Sequence, residues 1–195
     1  LPVSALPCLA VNEACALLRR GLALAFPSPC GYGFAFDPFL PGAQTLLESL
    51  KPGRSEPVGL LIPDRRAVDG LVAFVPAVAH RLMALWPAEL SLVLPAKGGL
   101  PGDLVSSRGG VSMRLPQLGP ALDLVRAYGS PLTATSLNFP GQKPASTADD
   151  LLAFGDLIAG YLAGQVGVQA PSTLVEILSE EMRLLRPGSV ELEWL

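Results

Sequence analysis

The chain has 195 residues, which is the size of one full domain. Half of its residues are hydrophobic, 16% are charged and the mean hydropathy is +0.43, so there is ample apolar surface to bury and a disordered chain is excluded. The net charge of −3 argues against a general polyanion binder with a basic face, and any site for a nucleotide or RNA must therefore be local.

The first half of the chain alternates short helices and strands, with glycine or proline between them. Apolar residues recur at helical spacing from Val11 to Arg20, and Gly21 stands where such a helix ends. Pro27 is expected to stop the strand that follows. The predicted order is helix 11–20, strands 22–26 and 32–36, helix 42–50, strand 58–62, helices 66–74 and 76–85, and strand 90–94.

The second half begins with a glycine-rich segment. Residues 96–110 contain five glycines and no sustained period, which makes them the best candidate for a mobile loop. Thr147 is placed to cap a later helix. The other predicted elements are strand 111–115, helix 119–128, strand 132–135, strand 172–178, and a C-terminal hairpin of MRLL and VELEW around the turn at 186–189. Because helices and strands interleave, the sequence predicts one α/β or α+β domain over residues 1–195, with a mixed sheet.

Cysteine usage and hydropathy bear on the compartment. Cys8, Cys15 and Cys30 are odd in number and form no C-x-x-C pair, which is typical of neither a disulfide framework nor a zinc cluster. The longest apolar stretch, 71–88, is broken by prolines and charged residues, and the N-terminal residues include no basic segment of a signal peptide. We therefore expect a cytoplasmic protein that does not enter a membrane.

The usual catalytic groups of hydrolases are scarce. His80 is the single histidine and lies between apolar residues of a predicted helix, which is typical of a structural histidine. The acidic pair 149–150 fits a helix start and the pair 180–181 a solvated surface, so no carboxylate pair for glycoside hydrolysis stands out. The glycines of 98–110 match neither the P-loop nor the Rossmann pattern, and no metal site is predicted.

Side chains that suit an oxyanion stand instead on turns and at strand ends. Arginine pairs an oxyanion through two N–H groups, and serine or asparagine adds neutral donors. The set therefore predicts a phosphate or carboxylate site. Its members are Lys51, Arg54, Arg114, Ser136, Asn138 and Arg186.

Six segments, taken in order, resemble the motifs of the YrdC-like family. The segment RRGLALAFPSPCGYGFAFD is similar to a strand followed by P-T-E-T-x-Y-G-L, LKPGRSEPVGLLI to K-x-R-P…P-L, and LWPAELSLVLP to W-P-G-P-L-T-L-V-L. The segment VSMRLP is similar to V-A-V-R-x-P, PLTATSLNFPGQKPASTADD to P-L-A-A-P-S-A-N-x-S-G-x-P-S-P-T-T, and PSTLVEI with LRPGSV to the closing signature. The resemblance covers nearly the whole chain.

The resemblance implies a twisted mixed sheet of about seven strands, flanked by helices, around a concave cavity. Characterised members of the family are threonylcarbamoyl-AMP synthases, so it also implies an enzyme, a nucleotidyltransferase. L-threonine and bicarbonate form a carbamate that attacks the α-phosphate of ATP, and the product supplies threonylcarbamoyladenosine to tRNA. ATP with Mg²⁺ is the implied cofactor. The implied partners are tRNA or double-stranded RNA and proteins of the tRNA-modification pathway.

The family motifs also imply roles for single residues. Lys51 and Arg54 take the places of the family's catalytic Lys and Arg. Contacts with ATP and its phosphates are expected from Lys51, Arg54, Arg114, Ser136, Asn138, Ser172, Thr173 and Arg186. Contacts with threonine are expected from Ser28, Tyr32 and Arg54. Trp86 fits a core position better than a stacking platform, because a Trp-Pro pair between a helix and a strand usually packs inside.

The chain departs from the family pattern where threonine is expected. Pro29 and Cys30 stand where P-T-E-T has a carboxylate and a second hydroxyl, so polar groups that select threonine are missing. A second interpretation is therefore a catalytically diverged paralogue that binds a nucleotide or double-stranded RNA without synthase activity. A third is carbamoyl-adenylate chemistry, as in the YrdC-like domain of hydrogenase maturation proteins, which carry zinc-finger and acylphosphatase parts not seen in this sequence.

Overall fold

The computed structural model describes residues 6–192. Within that range the chain forms eleven short strands and five α-helices. In chain order they are β1 (Cys8–Leu9), α1 (Val11–Arg19), β2 (Leu24–Ser28), β3 (Gly31–Ala35), α2 (Ala43–Leu50), β4 (Leu60–Leu61), α3 (Val68–Leu71), α4 (Ala79–Met83), β5 (Leu90–Pro95), β6 (Gly110–Arg114), α5 (Pro120–Tyr128), β7 (Leu132–Thr133), β8 (Thr135–Ser136), β9 (Tyr161–Leu162), β10 (Thr173–Glu176) and β11 (Arg183–Arg186).

The strands form two mixed sheets. The first has the order β1-β9-β2-β3-β8, and the second has the order β11-β10-β5-β6-β4-β7. In the second sheet β5 runs parallel to β10 and antiparallel to β6. The predicted mixed α/β fold is confirmed, with more strands than the seven or so expected. Pairs such as β1 with β9 extend over only two residues, which is too short for a period to be visible in the sequence.

Buried side chains of both sheets and of the helices belong to one apolar cluster. The predicted helices 11–20 and 119–128 are confirmed as α1 and α5, which lie against each other, and α5 also contacts β2. Each helix buries one face, with Leu18 of α1 and Val125 of α5 fully inside.

The hairpin of β2 and β3 carries one wall of a cavity, and its packing needs a glycine. Gly33 pairs with Phe26 across the hairpin. A Cβ added to Gly33 would lie 2.3 Å from Cζ of the Phe26 ring, so a side chain here would displace the ring. The buried Phe26 ring therefore lies directly over the β3 backbone.

The prediction that Pro27 stops its strand is wrong. Pro27 lies inside β2 and pairs with Tyr32, and the strand ends only at the two-residue turn Pro29-Cys30. The neighbour of β2 on its other side, β9, pairs with it at Ala25. No partner on that side therefore needs the N–H that proline lacks.

The predicted hairpin of MRLL with VELEW is also wrong. β11 pairs antiparallel with β10, and the chain then turns back so that the Val190 N–H donates to Oγ1 of Thr173 at 3.0 Å. β10 pairs with β5 along one edge, and the backbone groups along the other edge of β10 pair with β11. Residues 193 and 194 of the predicted strand lie outside the described range.

Other elements differ in length. The helices expected at 66–74 and 76–85 are the shorter α3 and α4, because Val72 between them forms a bridge with Ala96. Thr147 lies one residue before the N-cap, Ala148, of a 3₁₀ helix at Asp149–Phe154, and its Oγ1 accepts from the Asp150 N–H at 3.2 Å. Within residues 6–192 no helix has both the length and the apolarity that a membrane crossing needs.

Candidate active site

A cavity of about 730 Å³ lies between the two sheets. One wall consists of β2, β3 and β8, and the opposite wall of β5, β6, β10 and β11. The glycine-rich segment 96–110 contributes Ser106, Ser107 and Arg108 to the rim. The segment is tied back to β6 by two hydrogen bonds between Ser106 and Gly110. Its mobility stays a prediction.

The cavity has an excess of positive charge although the chain as a whole is acidic. Five arginines and two glutamates line it, against a net charge of −3 for the protein. A local cationic surface of this kind favours anions without giving the protein a general affinity for polyanions. The charged lining residues are Arg54, Arg108, Arg114, Arg183, Arg186, Glu56 and Glu176.

Arg186 anchors a cluster of hydroxyl groups on the wall of the second sheet. Its Nε and Nη2 donate to the Ser172 carbonyl oxygen at 3.1 and 2.9 Å, and Nη2 also donates to Oγ of Ser172 at 3.1 Å. Oγ of Ser172 lies 2.9 Å from Oγ of Ser91 in β5. Burial lowers the pKa of Arg186, and the charge of Arg114 lowers it further. Two guanidinium groups therefore share one end of the cavity.

Arg114 ends β6 and is the most enclosed of the lining arginines. It is 9% exposed, and its Nη1 donates to the carboxylate of Glu89, which is 2% exposed. Nε of Arg114 is buried and has no hydrogen-bond partner in the described part of the chain. Glu89 was not predicted from the sequence, because it stands alone inside an apolar motif.

Lys51, Asn138 and Ser136 form a hydrogen-bonded chain that reaches the cavity. Nζ of Lys51 donates to the carbonyl oxygen and to Oδ1 of Asn138, and Oγ of Ser136 donates to the same Oδ1 at 2.6 Å. Ser136 lines the cavity, whereas Lys51 and Asn138 lie behind it. Burial, followed by the charge of Arg54, lowers the pKa of Lys51 to about 8.

Ser28, Cys30 and Tyr32 line the cavity on the hairpin wall. Oγ of Ser28 donates to the Gly31 carbonyl oxygen at 2.6 Å and accepts from the Cys30 N–H at 3.4 Å. Its one proton is therefore used inside the turn, and the hydroxyl can offer a ligand only a lone pair. Burial raises the pKa of Tyr32, so its phenol stays protonated.

The remaining predicted residues divide between the cavity and its support. Arg54 lines the cavity and is held by the carbonyl oxygens of Glu56 and Pro57 at 2.5 and 3.1 Å. Thr173 does not line it: its Oγ1 donates to the Val190 carbonyl oxygen at 2.7 Å. Trp86 is a core residue as predicted, 2% exposed.

Seven of the ten predicted site residues meet at this cavity, although they come from six separate stretches of the chain. They are Ser28, Tyr32, Arg54, Arg114, Ser136, Ser172 and Arg186. The sequence missed Arg108 and Arg183 as lining residues. It also missed Glu176, which pairs with Arg108 at 3.2 Å. Arg108 and Arg183 lie outside the quoted motifs, whereas Glu176 lies within PSTLVEI. The antiparallel pairing of β10 with β11 places Glu176 opposite Arg183.

Comparison with known proteins places this fold and cavity in a family. The family model of Sua5, YciO and YrdC proteins, described as "Telomere recombination", matches residues 16–188. The chain is 36% identical over 187 residues to a protein of Mycobacterium tuberculosis, covering 94% of this chain and 86% of that protein. It is 35% identical over 166 residues to the threonylcarbamoyl-AMP synthase of Thiobacillus denitrificans, covering 83% of this chain and 88% of that enzyme.

A solved structure of P. abyssi Sua5 complexed with L-threonine has the same fold. Its TM-score is 0.83 at 25% identity, covering 91% of this chain and 54% of that one. The chain thus spans about half the length of that Sua5 structure. The chain is thus a mixed α/β protein with two sheets and an arginine-lined cavity. The chain belongs to the Sua5/YciO/YrdC family.

Proposed function

We propose that this chain is an L-threonylcarbamoyladenylate synthase. The observation that carries the proposal is the arginine-rich cavity between the two sheets, in a chain 35% identical to a named synthase over 83% of its length. The proposed substrates are L-threonine, bicarbonate and ATP, and the proposed use of the product is the threonylcarbamoyladenosine modification of tRNA.

The proposed reaction has two steps. The amine of threonine attacks the carbon of bicarbonate, water leaves, and a carbamate forms. An oxygen of the carbamate then attacks the α-phosphorus of ATP, the bond to the β-phosphate breaks, and pyrophosphate leaves. Neither step needs a covalent enzyme intermediate, so positioning and charge stabilisation are the main demands on the protein. This agrees with a cavity lined by arginine and serine rather than by a catalytic dyad.

The phosphates are proposed to lie against the second sheet. Arg186 and Arg114 face the cavity there, with the hydroxyl of Ser172 between β10 and β5. Arg54 approaches from the loop after α2. Guanidinium groups pair phosphate oxygens bidentately, and they stabilise the charge that develops as pyrophosphate leaves.

Lys51, Asn138 and Thr173 are proposed to act behind these groups. The buried ammonium of Lys51 fixes Asn138, which in turn accepts from Ser136 at the cavity surface. A direct contact between Lys51 and a phosphate would require Asn138 to release Nζ. Thr173 fixes the segment after β11 through Val190.

Threonine is proposed to bind at the hairpin wall, against Ser28 and Tyr32 and within reach of Arg54. Ser28 can accept a hydrogen bond there but has no proton to donate. Cys30 presents a thiol to the cavity where the family pattern has a hydroxyl. This weaker polar lining favours the second candidate function, a diverged paralogue that binds a nucleotide or double-stranded RNA without synthase activity.

Mg²⁺ is proposed to enter as part of the ATP substrate. Within residues 6–192 no three His, Cys, Asp or Glu side chains come together to hold a metal ion. Mg²⁺ commonly keeps several waters and binds through substrate phosphates, so a protein-built cage is not required. We also propose a cytoplasmic location and an RNA or protein acceptor for the product, because ATP and tRNA occur there.

Release of pyrophosphate tests the proposal. Purified protein with ATP, Mg²⁺, threonine and bicarbonate should release it, and omission of threonine or bicarbonate should abolish the release. The same reaction is run in parallel with the T. denitrificans relative. Activity of the relative alone would contradict the synthase, and ATP binding without turnover would favour the diverged paralogue.

A further inference from the structure

The contact between Glu89 and Arg114 assigns a role to a residue that the proposed function leaves unused. Glu89 lies just before β5, and Arg114 is the last residue of β6. Antiparallel pairing of β5 with β6 brings these two positions together. Both residues are more than nine-tenths buried, and the carboxylate accepts from Nη1 of Arg114.

The pairing uses only one end of the guanidinium. Nη1 is the nitrogen on the side of Cδ, whereas the N–H groups of Nε and Nη2 point along the other edge. Nε on that edge is buried and has no partner within residues 6–192. A buried donor without an acceptor is costly, and two parallel N–H groups match the oxygens of a carboxylate or phosphate. Because Arg114 lines the cavity, an oxyanion bound there would supply the acceptor that this edge lacks.

We infer that Glu89 is a positioning residue: it holds Nη1 of Arg114, so that the Nε and Nη2 edge is reserved for an oxyanion of the substrate. The inference rests on the proposed function for the identity of that oxyanion, which is a phosphate of ATP or the carboxylate of threonine. Glu89 stands where the family motif W-P-G-P-L-T-L-V-L has proline.

Glu89 also has a fixed backbone. Its carbonyl oxygen accepts from the Thr173 N–H at 3.0 Å, which ties it to the start of β10 beside Ser172. The pair of Glu89 and Arg114 therefore lies next to Ser172, which Arg186 contacts. A second effect of the carboxylate is to compensate one of two neighbouring guanidinium charges, which would otherwise be buried together at a large desolvation cost.

Binding measurements on variants of Glu89 and Arg114 test the inference. Glu89→Gln keeps an oxygen that can accept from Nη1, whereas Glu89→Ala does not. Calorimetric titrations with ATP and, separately, with threonine should show affinity for one of the two ligands falling about tenfold in Glu89→Ala. The same affinity should remain within about threefold of wild type in Glu89→Gln. The ligand that is affected identifies the oxyanion.

Arg114→Lys keeps a cation for Glu89 but removes the bidentate edge. Its affinity for the same ligand should therefore fall. Adding Glu89→Ala to Arg114→Lys should then cause no further loss, because Glu89 acts through Arg114. Glu180→Gln, at a glutamate outside the cavity that accepts from two backbone N–H groups, is the control and should bind as wild type does.

The possible outcomes separate the inference from the proposed function. Unchanged affinity in Glu89→Ala, or additive losses in the double variant, overturns the positioning role. If Glu89→Ala does not fold, equal affinities of wild type and Arg114→Lys overturn it instead. If the wild type binds ATP or threonine but makes no adenylate, the proposed synthase activity is contradicted. The titrations of the variants then still decide whether Glu89 positions Arg114. A wild type that binds neither ligand contradicts the oxyanion site itself.

Discussion

Nζ of Lys51 donates to two oxygens of Asn138, the backbone carbonyl and Oδ1, the latter at 2.5 Å. The two residues are 87 positions apart, and the contact joins the end of α2 to the loop after β8. Lys51 is 7% exposed, so this is a buried ammonium that two carbonyl-type oxygens solvate. It fixes the oxygen that accepts from Ser136 at the cavity wall.

A pH-dependent stability follows from this burial. The pKa of Lys51 is lowered to about 8 from 10.5, so between these values the unfolded chain binds more protons than the folded one. The contribution of Lys51 to stability is therefore smallest below pH 8 and rises from there toward pH 10.5. The free energy of unfolding of wild type, relative to Lys51→Met, should increase by about 3 kcal/mol across that window.

Urea denaturation of both proteins at neutral pH and near pH 10 measures this difference, since other titrating groups are common to the two proteins. Lys97→Met, at an exposed lysine, is the matched control. A difference between wild type and Lys51→Met that does not change with pH would contradict the burial of a titrating ammonium at this position.

Arg186→Lys is expected to weaken ATP binding. Lysine keeps the positive charge but cannot make the forked contact that Arg186 makes with Ser172. Loss of that fork frees the Ser172 hydroxyl and releases the cation that it holds at the proposed phosphate site, so the Kd for ATP should rise about tenfold. Calorimetry measures the change, with Arg126→Lys outside the cavity as control. Equal ATP affinities of Arg186→Lys and wild type would remove Arg186 from the proposed phosphate site.

Gly33→Ala should destabilise the fold. The new Cβ would lie 2.3 Å from the Phe26 ring, and relieving such an overlap in a packed core costs about 1–3 kcal/mol. Gly98→Ala is the matched control, because a Cβ there meets no atom within 4 Å. Thermal denaturation should show a lower Tm for Gly33→Ala alone. Equal Tm values for the two variants would mean that the Phe26 ring does not lie over β3.

Trp86→Phe separates a core role from a stacking role. Nε1 of Trp86 donates to the Leu90 carbonyl oxygen at 2.7 Å, and phenylalanine leaves that buried oxygen without this donor. Stability should fall by about 1–3 kcal/mol in urea denaturation. The Kd for ATP should not change, because Trp86 does not line the cavity. Unchanged stability together with weaker ATP binding would instead make Trp86 a stacking platform.

Local signals in the sequence were sufficient where an element is long or punctuated. The apolar spacing of 11–20 and the glycine after it predicted α1. The motif positions of Ser172 and Arg186 predicted each of them as a site residue, and the fold brings the two into contact at the cavity. The C-terminal hairpin was mispredicted because β11 pairs with β10, the strand before it, rather than with the residues after the turn at 186–189, and local turn propensity does not choose between these two partners. Glu89 was missed because its contact with Arg114, 25 residues later, cannot be read from a local pattern.

Label transfer from bicarbonate tests the central claim most directly. Protein incubated with ¹³C-bicarbonate, threonine and MgATP should yield threonylcarbamoyl-AMP that carries the label, detected by mass spectrometry. Formation should require all three substrates and should equal the pyrophosphate released. Pyrophosphate or AMP without a labelled adenylate, under conditions in which the T. denitrificans synthase makes it, would contradict the assignment of this cavity as a threonylcarbamoyl-AMP synthase site.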